Sequence, residues 1–163
     1  MEDVTAKKQL IDAIIQHLQT EFSNIEKAAR AAHEAATNPE SQAEDSHDTR
    51  GIEASYLAGA QAKRAEDLQK QIQLIQLLPV KDFTDRDAIG LGACVELSQK
   101  GQISFCFLVP QGGGVQLVVA GKKLQLITPQ SPMGEELLGR KKGDSVEVES
   151  KLGIREYQVV GLT

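Results

Sequence analysis

From Ile11 to Ala36 apolar residues recur at alternating steps of four and three: Ile11, Ile15, Leu18, Phe22, Ile25, Ala29, Ala32 and Ala36. This spacing keeps one apolar stripe on one side of a helix and is the seam of a coiled coil. A second stripe, Ala54, Ala58, Gln61, Ala65, Leu68, Ile72 and Ile75, stops short of Pro79, which disfavours helix at the residue before it. Asn38-Pro39 stands between the two as a helix stop. Folded back as an antiparallel hairpin, the stripes match large with large and small with small: Ile11 with Ile75, Ile15 with Ile72, Leu18 with Leu68, Ala29 with Ala58, and Ala32 with Ala54. The pattern predicts a hairpin over about residues 5 to 77 with its tip between Thr37 and Arg50. Arms of some thirty residues would reach roughly 45 Å from base to tip.

After Asp82 the period changes from helical to alternating, and strands are expected at Ala93–Gln99, Ile103–Val109, Val115–Ala120, Leu124–Thr128, Ser145–Ser150 and Ile154–Gly161. One helix interrupts them. Ser131 is a natural N-cap, Pro132 suits the first helical position, Glu135 and Glu136 lie early where the macrodipole favours acids, and Gly139 ends it. The fold class is therefore α+β. Residues 1–80 form an antiparallel coiled-coil hairpin, and residues 81–163 a small antiparallel-sheet domain with one short helix. Lys81 to Gly90 is the polar junction between them.

Composition agrees with an elongated part joined to a small globular one. Aromatics are 4% of the 163 residues and Trp is absent, so there is little bulky material for a large core. The net charge of −5 argues against broad adhesion to nucleic acid or to an anionic membrane, because an acidic surface gains nothing from counterion release. That charge is confined to the hairpin: residues 1–80 carry 13 acids and 8 bases, and the remainder carries 10 of each. Cys94 and Cys106 sit in apolar strand-like runs without metal or redox spacing, so buried free thiols and a reducing compartment are expected. No stretch of 18 apolar residues and no secretory leader pattern occurs, which leads to the expectation of a cytoplasmic protein.

The candidate chemistry lies at the predicted tip. Glu34, Glu40, Glu44, Asp45, Asp48 and Glu53 crowd around a single base, Arg50. A charge run in a loop is ordinarily a solvated surface. Two carboxylates three residues apart in a turn, as Asp45 and Asp48 are, can instead converge on a hard cation such as Mg²⁺, with Glu44 and Glu53 as alternates. Composition leaves both readings open. Gly112-Gly113-Gly114 lacks the Gly-Lys-Ser/Thr of a phosphate loop and reads as a hairpin loop between strands, and Gly90-Leu-Gly92 lacks the helix of a dinucleotide fingerprint. His17, His33 and His47 have no metal-type spacing, and no nucleophile motif is present. Conventional catalysis has little support in these residues.

A helical hairpin with an acidic tip followed by a small sheet domain resembles the Gre-type transcript cleavage factors of bacterial RNA polymerase. The most specific local match runs from Leu126 to Val148: a strand, Ser131-Pro132, a helix ending Leu137-Leu138-Gly139, a turn with Gly143-Asp144, and the strand start Val146-Glu147-Val148. The resemblance implies an FKBP-like fold for the sheet domain. It also implies docking of that domain on RNA polymerase at the rim of the secondary channel, with Ser131, Pro132, Met133, Leu138 and Gly139 at the contact. The coiled coil would enter the channel, where tip acids (here Asp45 and Asp48) help hold an Mg²⁺ that exists only in the polymerase complex and stimulate hydrolysis of backtracked RNA. On that view the protein has no cofactor in isolation, meets nucleic acid only through the polymerase, and acts as a monomer. The family's tip reads Asp-x-x-Glu-Asn before Ala-Glu-Tyr; aligned on Tyr56, its acidic positions fall on Thr49 and Ile52, neither a metal ligand. A regulator that binds the channel without promoting cleavage is the alternative this departure raises, and a stand-alone prolyl isomerase is disfavoured by the few aromatics of the sheet half.

Overall fold

The computed structural model describes residues 2–39 and 50–163, and the side chains of 6–39 and 51–163. Helix α1 spans Glu2–Thr37 and α2 Arg50–Gln76; strands β1 (Cys94–Gln99), β2 (Gln102–Leu108), β3 (Gln116–Val119) and β4 (Lys122–Ile127) precede α3 (Pro132–Leu137), and β5 (Ser145–Ser150) and β6 (Gly153–Leu162) follow it. The architecture is the expected α+β one, an N-terminal helical hairpin and a C-terminal sheet domain. The chain divides into two compact units: Gln16–Ile72, and Met1–Ile15 together with Gln73–Thr163. The boundary expected between residues 80 and 81 lies inside the second of these, which also takes in the first turns of α1 and the last turn of α2.

In the helical unit the buried residues are those of the predicted stripes and one polar residue outside them, Gln71. Leu18, Ile25, Ala32, Leu68 and Ile72 are buried, and Phe22, Ala29, Ala36, Ala54, Ala58, Gln61 and Ala65 are half-buried. On α1 the stripe departs from expectation at Ile14, which is fully buried where Ile15 is only half-buried. Near its start α1 belongs to the same unit as the sheet, and the buried run there reads Lys7, Ile11, Ile14, at steps of four and three. α1 ends where Pro39 restricts Asn38, and the Thr37 hydroxyl donates to the carbonyl of His33 (2.9 Å), occupying one of the last-turn acceptors. Along the exposed side of α2 run the i,i+4 pairs Lys63–Asp67 and Glu66–Lys70, each worth only a few tenths of a kcal/mol.

The six strands form one sheet in the order β3-β4-β2-β1-β6-β5. Every neighbouring pair is antiparallel except β2 and β4, which run parallel from Phe105↔Leu124 to Leu108↔Ile127. The sheet is thus mixed, and the hairpin expected around Gly112–Gly114 does not form. Instead β4 lies between β2 and β3, and the glycine segment passes over its end: Val109 N–H donates to Ile127 O, and Gly114 N–H to Leu126 O, both at 2.8 Å. Gly112 and Gly114 take positive φ (78° and 90°), and a side chain on Gly113 would press on Thr128 at 3.2 Å. An alternating pattern tells which face a residue occupies but not which strand lies beside it, and so the parallel pair is invisible in the sequence.

Both faces of the sheet bury apolar residues: Phe107, Leu117, Leu124 and Leu126 lie on one, and a cluster lies on the other. Val95 and Leu97 of β1, Cys106 and Leu108 of β2, Ile127, Val146, Val148, Val159 and Leu162 pack with Ile89, Ala93 and Leu137, and Phe83, Met133 and Tyr157 close the edges. The junction from Lys81 to Gly90 is pinned to this body. Asp87 accepts from the Thr84 N–H (2.8 Å), the Thr84 hydroxyl (2.7 Å) and Lys81 Nζ (3.2 Å), which together hold its carboxyl down at about 2. Lys142 Nζ pairs with Asp85 at 2.8 Å.

Candidate functional site

Two regions carry the residues singled out from the sequence. The first is the connection between α1 and α2. Glu44, Asp45 and Asp48 lie outside the described residues. Glu53 is described: it sits exposed in the first turn of α2, where the positive end of the helix dipole favours a carboxylate. Close by are three large apolar side chains that the stripe leaves outside: Ile52, Tyr56 and Leu57 are 59%, 77% and 53% exposed. Ile52 and Tyr56, four apart, share one face of the helix, and their i,i+4 spacing off the Ala54–Ala58 seam is the sequence signal for it. Among the described residues no cluster of three or more His, Cys, Asp or Glu side chains is placed to hold a metal ion.

The second region is α3. The Ser131 hydroxyl accepts from the Gly134 N–H (3.1 Å) and donates to the Thr128 carbonyl (2.7 Å), so both its hydrogen-bonding roles are spent on shaping the helix start. Gly134 faces the strand end so closely that a side chain there would overlap the Thr128 carbonyl oxygen. Pro132 occupies the first helical position and is exposed, whereas Met133 turns half-buried against the core. At the far end Leu138 is 48% exposed, and Gly139, at φ 81°, gives its N–H to the Ile89 carbonyl at 2.9 Å. Of the five residues expected at a partner contact, Pro132 and Leu138 present an apolar surface; Ser131, Met133 and Gly139 set the shape beneath it.

A buried group that the sequence reading missed is Lys7, which is 1% exposed. Its Nζ donates to the main-chain oxygen of Thr163 at 2.6 Å and stands over the rings of Phe83 and Phe107, 5.1 and 5.5 Å from their centroids. Desolvation pushes its pKa down to about 8 against the opposing pull of Cys94 and Asp82. Asp82 Oδ1 is itself buried without a hydrogen-bond partner. The spacing places Lys7 on the stripe, one helical step of four before Ile11, but nothing local marks its amine as buried. The thiols offer no nucleophile: burial raises Cys94 and pushes Cys106 up to about 12.

Comparison with known proteins places these features. The family described as "Transcription elongation factor, GreA/GreB, C-term" matches residues 84–163, which take in α3 and all six strands. The transcription inhibitor protein Gfh1 of Thermus thermophilus is 26% identical over 165 residues, covering 98% of this chain and 97% of its own. The transcription elongation factor GreA of Thermotoga neapolitana is 27% identical over 159 residues, covering 96% and 90%. The crystal structure of Thermus aquaticus Gfh1, at 21% identity over 90% of this chain and 92% of that one, superposes with a TM-score of only 0.40, so the assignment rests on the sequence matches. Both kinds of relative run nearly the full length of the chain, hairpin and sheet together. The chain belongs to the Gre-type factor family, as a divergent member.

Proposed function

We propose that this protein binds RNA polymerase through the α3 side of its sheet domain and acts on the polymerase's catalytic centre through the acidic segment between α1 and α2. One observation carries the reading: helices of 36 and 27 residues stop at Thr37 and resume at Arg50, so that Glu44, Asp45 and Asp48 fall on the connection between them. The donor set fits Mg²⁺, since carboxylate oxygens are the hard ligands that ion takes. Such an ion would supply Lewis-acid stabilisation of charge at the phosphate and activation of water. Asp45 and Asp48, three residues apart, would complete its shell only when polymerase and RNA contribute the rest, and the output would be stimulated cleavage of backtracked RNA.

A second output has its own support. Ile52, largely exposed, and Thr49 occupy the positions at which the Gre-type tip carries acids, and one of the full-length relatives is a transcription inhibitor. On that reading the same carboxylates hold the ion in a non-productive arrangement and slow the polymerase without cleavage. An RNA-release assay on backtracked complexes separates the two. Under the cleavage reading wild type accelerates release, and Asp45→Asn with Asp48→Asn lowers it by about 10² while binding persists, as loss of one metal-stabilised contact of about 3 kcal/mol implies. Inhibition of elongation without RNA release, relieved by the same pair of substitutions, establishes the second. Leu138→Asp should weaken polymerase binding in either case; unaltered binding would move the docking surface away from α3.

A further inference from the structure

The sheet has an open edge in its interior order. β1 ends at Gln99, where Lys100 and Gly101 turn the chain back with positive φ (48° and 81°) and Gln99 pairs with Gln102. β6 does not end with it. Its pairing with β1 runs from Leu162 only to Gln158, while its pairing with β5 continues to Gly153. Residues 153–157 therefore have β5 along one edge and, among the described residues, no strand along the other. The main chain facing this gap can be identified. Val159 N–H donates to Asp144 O and Val159 O accepts from Gly143 N–H, so Val159 points its peptide groups toward β5. By alternation Tyr157, Arg155 and Gly153 do the same, and Ile154 and Glu156 turn theirs to the gap.

Beyond the edge lies a notch of about 990 Å³, walled by Ser98, Lys100, Gln102, Ile154, Glu156 and Gln158. A natural sheet edge of this kind is ordinarily blunted by charge and kept free of large apolar groups. Here Ile154 is 69% exposed and Leu152, at the hairpin turn, 83% exposed. Along the open edge the side chains alternate in character: Ile154 and Glu156 on one face, Arg155 on the other.

We propose that this edge receives an extended segment of another polypeptide, which continues the line of β1 and runs antiparallel to β6. Such a segment takes four main-chain hydrogen bonds from Ile154 and Glu156, and its side chains fall directly opposite three consecutive residues of β6. Charge and polarity then fix its character. Read from its N-terminal side it carries a basic residue opposite Glu156, an acidic one opposite Arg155 and an apolar one opposite Ile154. A second copy of this chain is the poorer occupant, because twofold pairing centred on Arg155 sets arginine against arginine and Ile154 against Glu156.

The test is an amide-shift titration of the full-length protein with a blocked peptide reading Thr-Thr-Lys-Glu-Val-Thr-Thr, taken to about 5 mM because one short added strand binds weakly. Saturable shifts confined to residues 98–102 and 153–158 are expected. They should weaken about tenfold, the worth of two cross-strand charge pairs, for the peptide with Glu and Lys exchanged, and vanish when Lys and Val are N-methylated. The protein variant Arg155→Glu with Glu156→Lys should prefer the exchanged peptide, a reversal that a merely destabilised fold cannot produce. No shifts, equal shifts with the N-methylated peptide, or no reversal would overturn the proposal. Concentration-dependent self-association broadening residues 153–157 would overturn it also, by giving the edge to a second copy.

Discussion

The helical unit and the sheet unit bury their apolar residues in different geometries. In Gln16–Ile72 the buried side chains form a line, large near Leu18, Leu68 and Ile72 and shrinking to half-buried alanines at Ala29, Ala36, Ala54 and Ala58. In the sheet unit they form a cluster in which strands far apart in sequence meet, Val95 with Leu162 and Leu137 with Val146 and Val148. A line can lose one turn and keep the rest; a cluster cannot. The hairpin's stability is therefore a sum over local steps, whereas the sheet's depends on closure of the whole. The alanine end of the line has the least to lose, and it adjoins the acidic connection.

Truncating a fully buried leucine in each unit makes the comparison measurable. Leu18→Ala and Leu137→Ala each remove a side chain with no exposed surface and should cost about 2–5 kcal/mol. Hydrogen exchange should show protection lost in Leu137→Ala across all six strands, but in Leu18→Ala mainly in the helical turns around it. Uniform loss in both would mean that the molecule unfolds as one cooperative body. One substitution applied to a glycine in each unit should next give opposite signs. Gly134→Ala, with the Thr128 carbonyl in the way, should destabilise by about 3 kcal/mol as α3 is pushed off its seat. Gly59→Ala meets nothing within 4 Å in the interior of α2 and should stabilise by about 1 kcal/mol through helix propensity alone. Denaturant melts of the two variants check both signs.

Lys7 adds an effect that depends on pH. Its folded pKa, about 8, lies below the ordinary 10.5, so between these values the unfolded chain binds the proton and the folded chain does not. Stability should rise with pH across that window, and the cost of burying the charged amine is fully present below it. Lys7→Met keeps the volume and removes the titration. It should flatten the pH dependence of the melting midpoint between about 8 and 10.5 and leave the stability near neutrality unchanged or higher. A slope that survives the substitution would assign it to another group.

Much of this was legible in the sequence because most of the signals are local. The heptad steps located both helices, Asn38-Pro39 and Pro79 their ends, and Ser131-Pro132 the start of α3. The strand runs fell within one or two residues of β1 to β6. What escaped was non-local. The parallel contact of β2 with β4 joins residues whose own patterns say nothing about partners, and the burial of Lys7 depends on Phe83, Phe107 and Thr163, all distant in the chain. A charged residue early in a helix reads as solvated until its surroundings are known. Of the candidate site, the α3 residues expected at a contact comprise two exposed apolar groups, Pro132 and Leu138, and three that shape the helix. The pairing of Asp45 with Asp48 rests on spacing alone, since both lie outside the described residues.

The hydrogen bond from Lys7 to Thr163 joins residues 156 positions apart, and on a ribosome this separation becomes time. β1, early in the sheet's sequence, sits in mid-sheet and needs β6 as its second neighbour, so it waits with one edge bare until β6 is made. The turns of α2 and the later turns of α1 can wind as they emerge, while the first turns of α1, though synthesised before the sheet, find their seat only after β6 is made. A nascent chain halted before β6 would hold a formed hairpin beside an unfinished sheet with Val95 and Leu97 uncovered, the state in which such a protein is most exposed to aggregation and to proteases.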